Sequence, residues 1–399
     1  MAGALPAQPT GRLCIIAVGK AGAEMMRIAL AQGLHPHSGL VITAQGHLPP
    51  DFRFPDQIQV VIGGHPVPNA ASVAGAGKAL ELAGQLDEGD HLLVLLSGGG
   101  SALMAAPVDG ISLAEKQAVT RALLHSGATI SEINSVRKRL SRIKGGGLAR
   151  AAGAADLTTL IISDVPGDDP ALVSSGPTIP DTADPALAGR IMARYQLPLS
   201  AGVRAALADP PNDPPRPRSV TGKRQAVRII AAARDALDAA AAVARAQGVE
   251  VVDLGDNLQG EARTLGARHA ALALQLAGTG RPILILSGGE TTVTVTHPDG
   301  RGGRNLEYLL GLTIALDGAP GIHAIACDTD GIDGTDRAAG AVMHPDTLAR
   351  ATQAGLDPAD SLQRNNAFVL FEALDDLVVT GPTRTNVNDF RAILINPAN

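Results

Sequence analysis

Two runs of branched apolar residues in this chain end in Ser-Gly-Gly: HLLVLLSGGGSAL at His91–Leu103 and PILILSGGETTVTV at Pro282–Val295. Runs that are apolar at nearly every position, instead of every second one, suit strands covered on both faces, the condition of a parallel sheet layered between helices. The glycines that follow leave backbone N–H groups open to an anion that side chains would otherwise block. One such loop in each half of the chain predicts two halves that serve one phosphorylated ligand. Each loop taken alone equally fits an ordinary strand-to-helix turn.

At 399 residues the chain exceeds a comfortable single core, so two domains are expected. Apolar residues make up 45% but aromatics only 2%, with no tryptophan. The core must therefore be Ala, Val, Leu and Ile, the usual filling between helices and a parallel sheet. Thirty-three basic and 39 acidic residues give a net charge of −6 with no long single-sign stretch, which argues against nucleic acid as a partner. Cys14 and Cys327 are far apart and lie in or at the end of apolar runs, reading as buried thiols of a reducing compartment. The opening MAGALPAQPTGR lacks a basic-plus-apolar leader, and no run reaches the ~18 apolar residues of a membrane span. The expectation is a soluble, cytoplasmic protein without a membrane partner.

Strand and helix patterns alternate along the first half: CIIAV, a helix from Lys20 to about Gln32, LVIT, QVVI, a helix from about Ser72 to Leu86 with Ser72 as N-cap, then the first Ser-Gly-Gly strand. Helices follow near Ser112–His125 and Ser131–Ile143, then the strand TTLIIS. This spacing predicts an α/β fold, a Rossmann-like and mostly parallel sheet. The segment Asp209–Gly222 carries five prolines and forbids both helix and central strand. It sets the expected boundary between residues 1–222 and 223–399, and alternation resumes beyond it. No fixed-period repeat is present.

Several polar motifs sit where such a sheet binds ligands. AVGKAGAE places Gly19, Lys20 and Gly22 after a strand, but the dinucleotide fingerprint needs a third glycine and an acidic residue ending the second strand, where this chain has Thr43-Ala44-Gln45. Lys20 suits a phosphate or carboxylate as a point charge, or a solvated helix start. No P-loop is present, since Lys78 lacks its flanking residues. INSVRKRLSRIKGGGLA concentrates Arg137, Lys138, Arg139, Arg142 and Lys144. Arg137 and Lys144, seven apart, would share a helix face that could neutralise an anion, though a charge run is more often a wet face.

IISDVPGDDPALVSSGPT follows a strand with Asp164, Asp168, Asp169, Ser174, Ser175 and Thr178, able to supply the one or two carboxylates that Mg²⁺ takes beside a nucleotide, or simply a turn-rich loop. HPDGRGGRNLE brings Arg301 and Arg304 into a glycine loop before a helix near Asn305. CDTDGIDGTDRAAGAV sets Asp328, Asp330, Asp333 and Asp336 after a strand without the register of an EF-hand, leaving a magnesium ligand, a general base or Asp-Gly turns. His65 in GGHPVPN reads as a structural loop histidine.

These segments, together with TNVNDF near the C-terminus, occur in an order that resembles the glycerate 2-kinase family. The resemblance covers nearly the whole chain and rests on no single motif; Leu306 departs from the glutamine usual in GGRNLE. It implies a large N-terminal glycerate-kinase domain and a C-terminal MOFRL domain at about 280–395, with a cleft between them. It further implies transfer of phosphate from ATP to the 2-hydroxyl of D-glycerate, with Mg²⁺. In that frame Ser97, Gly98, Gly99, Gly100 and Ser101 are expected to cradle phosphates. Lys20, Arg137, Arg304 and Asn305 are expected to bind substrate, Lys20 and Arg304 also neutralising the transferred group. Asp164 and Asp330 share the base and metal roles, undivided. A homodimer is an allowed assembly. Alternatives are an NAD(P)H-dependent hydroxypyruvate reductase, a label that similar chains carry, and a non-catalytic sugar-acid or nucleotide sensor.

Overall fold

A computed structural model describes residues 1–197, 199–208, 224–334 and 337–396. The proline-rich Asp209–Gly222 and Asp336 lie outside the described residues. The chain divides into two compact units, Met1–Ile230 and Ala231–Asn399.

The first unit is a six-stranded sheet of β1 (Leu13–Val18), β2 (Ser38–Thr43), β3 (Ile58–Ile62), β4 (His91–Leu96), β5 (Asp156–Ile162) and β6 (Gln225–Ala231), in the order 3-2-1-4-5-6. The pairings of β1 with β2 and β4, of β2 with β3 and of β4 with β5 are parallel. This is the doubly wound order, whose strand sequence reverses between β1 and β4. The apolar runs explain the layering. In β1, Cys14, Ile16 and Val18 enter one core while Leu13, Ile15 and Ala17 enter another, because successive side chains face opposite sides. α1 (Gly22–Ala31) covers the second face with Met25, Met26 and Ala29, and α2 (Ala70–Gly84) covers the first with Ala76, Ala79 and Ala83. The small helix side chains follow from the aromatic-poor composition. The N-cap of α2 is Asn69, not Ser72; Ser72 is the reciprocal member of the capping box, accepting from the Asn69 amide at 3.2 Å.

Five further helices complete this unit: α3 (Gly100–Leu103), α4 (Leu113–His125), α5 (Ile130–Arg139), α6 (Gly147–Ala151) and α7 (Leu187–Arg194), with α8 (Ala201–Ala208) closing the described part before β6. α5 stops four residues short of the expected Ile143, so Arg142 and Lys144 lie in the turn after it and not on its face. Gly145 and Gly146, both with positive φ, make that turn affordable only to glycine.

The second unit holds β7 (Glu250–Asp253), β8 (Ile283–Gly289), β9 (Ile322–Asp328), β10 (Gly340–Met343), β11 (Leu377–Val378) and β12 (Asp389–Ile395), in the order 11-10-9-12-8-7. Only β7 with β8 is parallel; β12 runs antiparallel to both β8 and β9. The sheet is therefore mixed. α9 (Ala233–Ala246) covers one face through Leu237 and Ala241, and α10 (Ala262–Ala277) with α11 (Arg304–Leu316) covers the other. α11 is buried from Asn305 to Thr313, and its contact with α10 depends on glycine: a Cβ on Gly311 would lie 2.7 Å from the Arg263 carbonyl. No helix among the described residues is long and apolar enough to cross a membrane.

Candidate functional site

The two turns at the switch point of the first sheet share one sequence type but differ in what their amides do. After β1 every amide is used internally: Gly19 N–H donates to the Ile42 carbonyl (3.0 Å), Lys20 to Gly98 (2.9 Å), Ala21 to Ser97 Oγ (2.9 Å) and Gly22 to Gly19 (3.1 Å). After β4 the amides of Gly98, Gly99, Gly100 and Ser101 donate to no acceptor among the described residues. Such a row of N–H groups at the carboxyl edge of a parallel sheet is a candidate anion cradle. Ser97 is fully buried, so its hydroxyl ties the two turns together and does not face a ligand.

Ser101 is the hub of the cradle. Its Oγ accepts from Arg137 Nη2 at 2.6 Å and Lys144 Nζ at 2.7 Å and lies 3.0 Å from Ser175 Oγ; Lys144 also donates to the Ser101 carbonyl at 2.8 Å. Ser174 Oγ donates to the Ser97 carbonyl at 3.0 Å. Ser174 and Ser175 hold φ values of 52° and 62°, a left-handed backbone that non-glycine residues rarely adopt and that marks a constrained site. Three stretches far apart in sequence thus meet here. Lys20 and His65 flank the same turn: a side chain on Gly99 would meet the His65 ring at 3.0 Å and Lys20 Cγ at 3.5 Å. Sequence reasoning set His65 aside because nothing near it in the chain marks a partner.

Cations dominate this region. Burial pushes the Lys144 ammonium well down, helped by the charges of Arg137, Lys116 and Lys138. Burial likewise lowers Arg137 and brings Lys116 down to about 7. Lys116 closes the end of α5 by donating to the Leu140 carbonyl at 2.6 Å. Its ordinary value is 10.5, so between pH 7 and 10.5 the folded chain holds fewer protons than the unfolded one. Stability therefore climbs as pH rises through that window, and the full penalty persists below it. Lys116→Met is expected to remove this climb, a slope approaching ~1.4 kcal/mol per pH unit. Urea unfolding at pH 7, 8 and 9 measures it, and an unchanged slope would reject the assignment.

Asp164 follows β5 and is half-buried. Asp169 accepts from the Ala171 amide at 2.9 Å, the turn role, and Thr178 is joined to Thr159 at 2.9 Å.

The second unit gathers an acidic centre around one guanidinium. Arg304 donates from Nε to Asp389 (2.7 Å), from Nη1 to Glu290 (3.0 Å) and from Nη2 to Asp328 (2.8 Å). Burial opposes its charge, yet the three carboxylates outweigh burial and hold its pKa above the usual arginine value. Burial and the Asp330 charge push Asp328 up to about 8 despite Arg304. Asp333 is raised by burial to about 6, against the Leu306 and Asn305 amides that donate to it.

Asn305 is fully buried and its Nδ2 donates to Asp389 at 2.8 Å, a linking position. Leu306 acts through its amide alone, its side chain being in the core. Asp330 is buried, and its Oδ1 accepts from Ile332 N–H at 2.9 Å. Arg301 is elsewhere, over the Phe368 ring at 4.1 Å. Ser287, Gly288 and Gly289, expected to form a second loop, continue β8 and pair with Arg391, Phe390 and Asp389. Their amides are committed because β12 returns on one side and the segment after β7 lies on the other, where Gly288 N–H donates to the Gly255 carbonyl at 2.9 Å, non-local partners invisible in the local sequence. Arg391, fully buried, bonds Asp389 and the Gly288 carbonyl and fixes that carboxylate from behind.

Among the described residues no three or more His, Cys, Asp or Glu side chains gather as a metal cage. Magnesium bound with a nucleotide needs only one or two carboxylates beside phosphate oxygens. Asp164, half-buried, and Asp330, buried, each follow the carboxyl end of a strand.

A family model described as a domain of unknown function, DUF4147, matches residues 2–208, and the MOFRL family model matches residues 283–389. The chain is 48% identical to an Agrobacterium vitis protein that carries the provisional name hydroxypyruvate reductase, over 98% of this chain and 89% of that one. It is 35% identical to the D-glycerate 2-kinase of Thermotoga maritima, over 96% of this chain and 91% of that one. The crystal structure of glycerate kinase from Thermotoga maritima superposes with a TM-score of 0.85, again over 96% and 91% of the two chains. The chain belongs to the glycerate 2-kinase family, with its MOFRL domain in the second unit.

Proposed function

We propose that this protein transfers phosphate from ATP to the 2-hydroxyl of D-glycerate. The observation that carries the reading is the contrast between the two switch-point turns: the β1 turn has no amide left for a pyrophosphate, whereas the β4 turn presents four. A dinucleotide reductase needs the first turn open and a carboxylate at the end of β2. Here β2 ends in Thr43, whose hydroxyl donates to the Gly19 carbonyl at 3.0 Å and closes that turn further.

In this reading Gly98–Ser101 hold phosphate oxygens, with Ser101 fixed by Arg137 and Lys144 so that the cradle keeps its shape. Lys20 adds a positive charge where negative charge accumulates, and phosphoryl transfer proceeds through positioning and charge neutralisation. Arg304 offers its remaining exposed edge to the substrate carboxylate while Asp389 and Asp328 fix its plane. Asp164 or Asp330 accepts the substrate hydroxyl proton or holds Mg²⁺, which when bound would neutralise phosphate charge. The related chains named as glycerate kinases support this reading of substrate and reaction.

A coupled assay tests it. ATP with D-glycerate should yield ADP and 2-phosphoglycerate, with no 3-phosphoglycerate. NADH consumption with hydroxypyruvate in place of that reaction would establish the reductase, and absence of both would establish a sensor.

A further inference from the structure

α5 presents different sides to different surroundings, because adjacent residues of a helix point about 100° apart. Arg137 faces Ser101, while its neighbour Lys138 faces a separate cavity of about 150 Å³ formed by α5, the turn after it, α6 and the segment 181–188. Its charged lining is Lys138, Arg139, Lys144, Arg150, Asp181 and Asp184. The acids are already engaged: Asp181 meets Lys138 at 3.6 Å, and Asp184 is held by Arg190 at 2.7 Å. Among the described residues neither Lys144 nor Arg150 has a carboxylate partner; Arg150 is satisfied only by the Gly145 carbonyl at 2.9 Å. Burial without a counter-charge lowers the pKa of both. Partly buried cations left in this state are unfavourable unless an anion joins them.

We propose that this cavity is a second anion site, distinct from the glycine cradle, which takes a small molecule through its phosphate group against Lys138 and Arg150. The volume is roughly ten times the ~10–15 Å³ that admits one water, which accommodates phosphate with a short organic tail. Arginine supplies a planar fork to two phosphate oxygens and lysine a point charge. Lys144 forms the wall between the cavity and Ser101, so occupancy here would bear on the cradle through one side chain. The inference needs no assignment of the reaction.

Inorganic phosphate and 2-phosphoglycerate, each titrated calorimetrically into the full chain, test the proposal. Saturable binding of either supports it and identifies the source as free phosphate or a phosphorylated acid; binding of neither overturns it. The binding should persist when a non-hydrolysable ATP analogue saturates the protein, and its disappearance would assign the anion to the cradle instead. Lys138→Gln with Arg150→Gln should weaken phosphate at least tenfold while the KM for ATP stays within twofold. Ala183→Glu, which adds a negative charge at an exposed rim position without removing a bond, should do the same with an unchanged urea midpoint. Wild-type phosphate affinity in both folded variants overturns the proposal. Loss of kinase activity in the wild-type assay would leave these binding results standing.

Discussion

Arg304→Met is expected to cost the chain about 3–5 kcal/mol of stability and to remove activity, the largest effect foreseen for a single substitution here. The guanidinium is the shared partner of Asp389, Asp328 and Glu290, and Asp389 is fully enclosed. Deleting it leaves buried carboxylates facing one another, and each must either protonate or admit water. Arg304→Lys should restore part of the charge but not the three-way geometry, since a single ammonium cannot reproduce a planar fork directed at three acids. Urea unfolding separates the two effects. The double variant with Asp328→Asn should recover stability relative to Arg304→Met and recover no turnover, because Asp328 is the buried carboxylate left with no other cation among the described residues, whereas Asp389 keeps Arg391. A wild-type urea midpoint in Arg304→Met would show that the acidic centre does not depend on this residue.

Lys20→Ala is expected to act in the opposite manner, lowering kcat by about 10²–10³ with no measurable loss of stability. Its amide bond to the Gly98 carbonyl belongs to the backbone and survives the substitution, so the turn that carries it stays in place. What disappears is a cation beside Gly99, where the cradle would hold the phosphate. Steady-state kinetics should show the loss mainly in kcat, with a smaller change in the KM for ATP, because the charge is needed most when the phosphoryl group is in transit. Turnover near the wild-type rate would remove Lys20 from the site. Equal loss of stability and activity would mean that it acts through the fold.

Much of the architecture was legible because it is written locally. The runs LCIIAV and HLLVLL have no polar side that could face water, so a sheet covered on both faces was the consistent solution, and both cores are built from these strands. The first glycine loop was legible only as a candidate anion site, since the second, after an equally apolar strand, shows that glycines there also serve to continue a sheet. The basic run 137–144 was visible as charge but misplaced as geometry. Helix periodicity put Arg137 and Lys144 on one face, whereas the helix ends at Arg139 and two left-handed glycines fold the chain back. Both cations still reach Ser101, by a turn instead of a shared face.

The sequence by itself determined the class of fold, the two-part organisation and the residues rich enough in charge and glycine to handle an anion, since these follow from short-range pattern and composition. Only the tertiary structure decided which of two similar loops is open. Ser97–Ser101 and Ser287–Glu290 follow nearly the same kind of strand, but hydrogen-bond partners are assigned by whatever the fold brings alongside. The first is left with unused amides at the end of a parallel strand, and the second is taken up by β12 on one side and by the Gly255 and Leu258 carbonyls on the other. The same holds for Arg304, whose sequence neighbours are glycines but whose spatial neighbours are three acids drawn from β9, β12 and the end of β8.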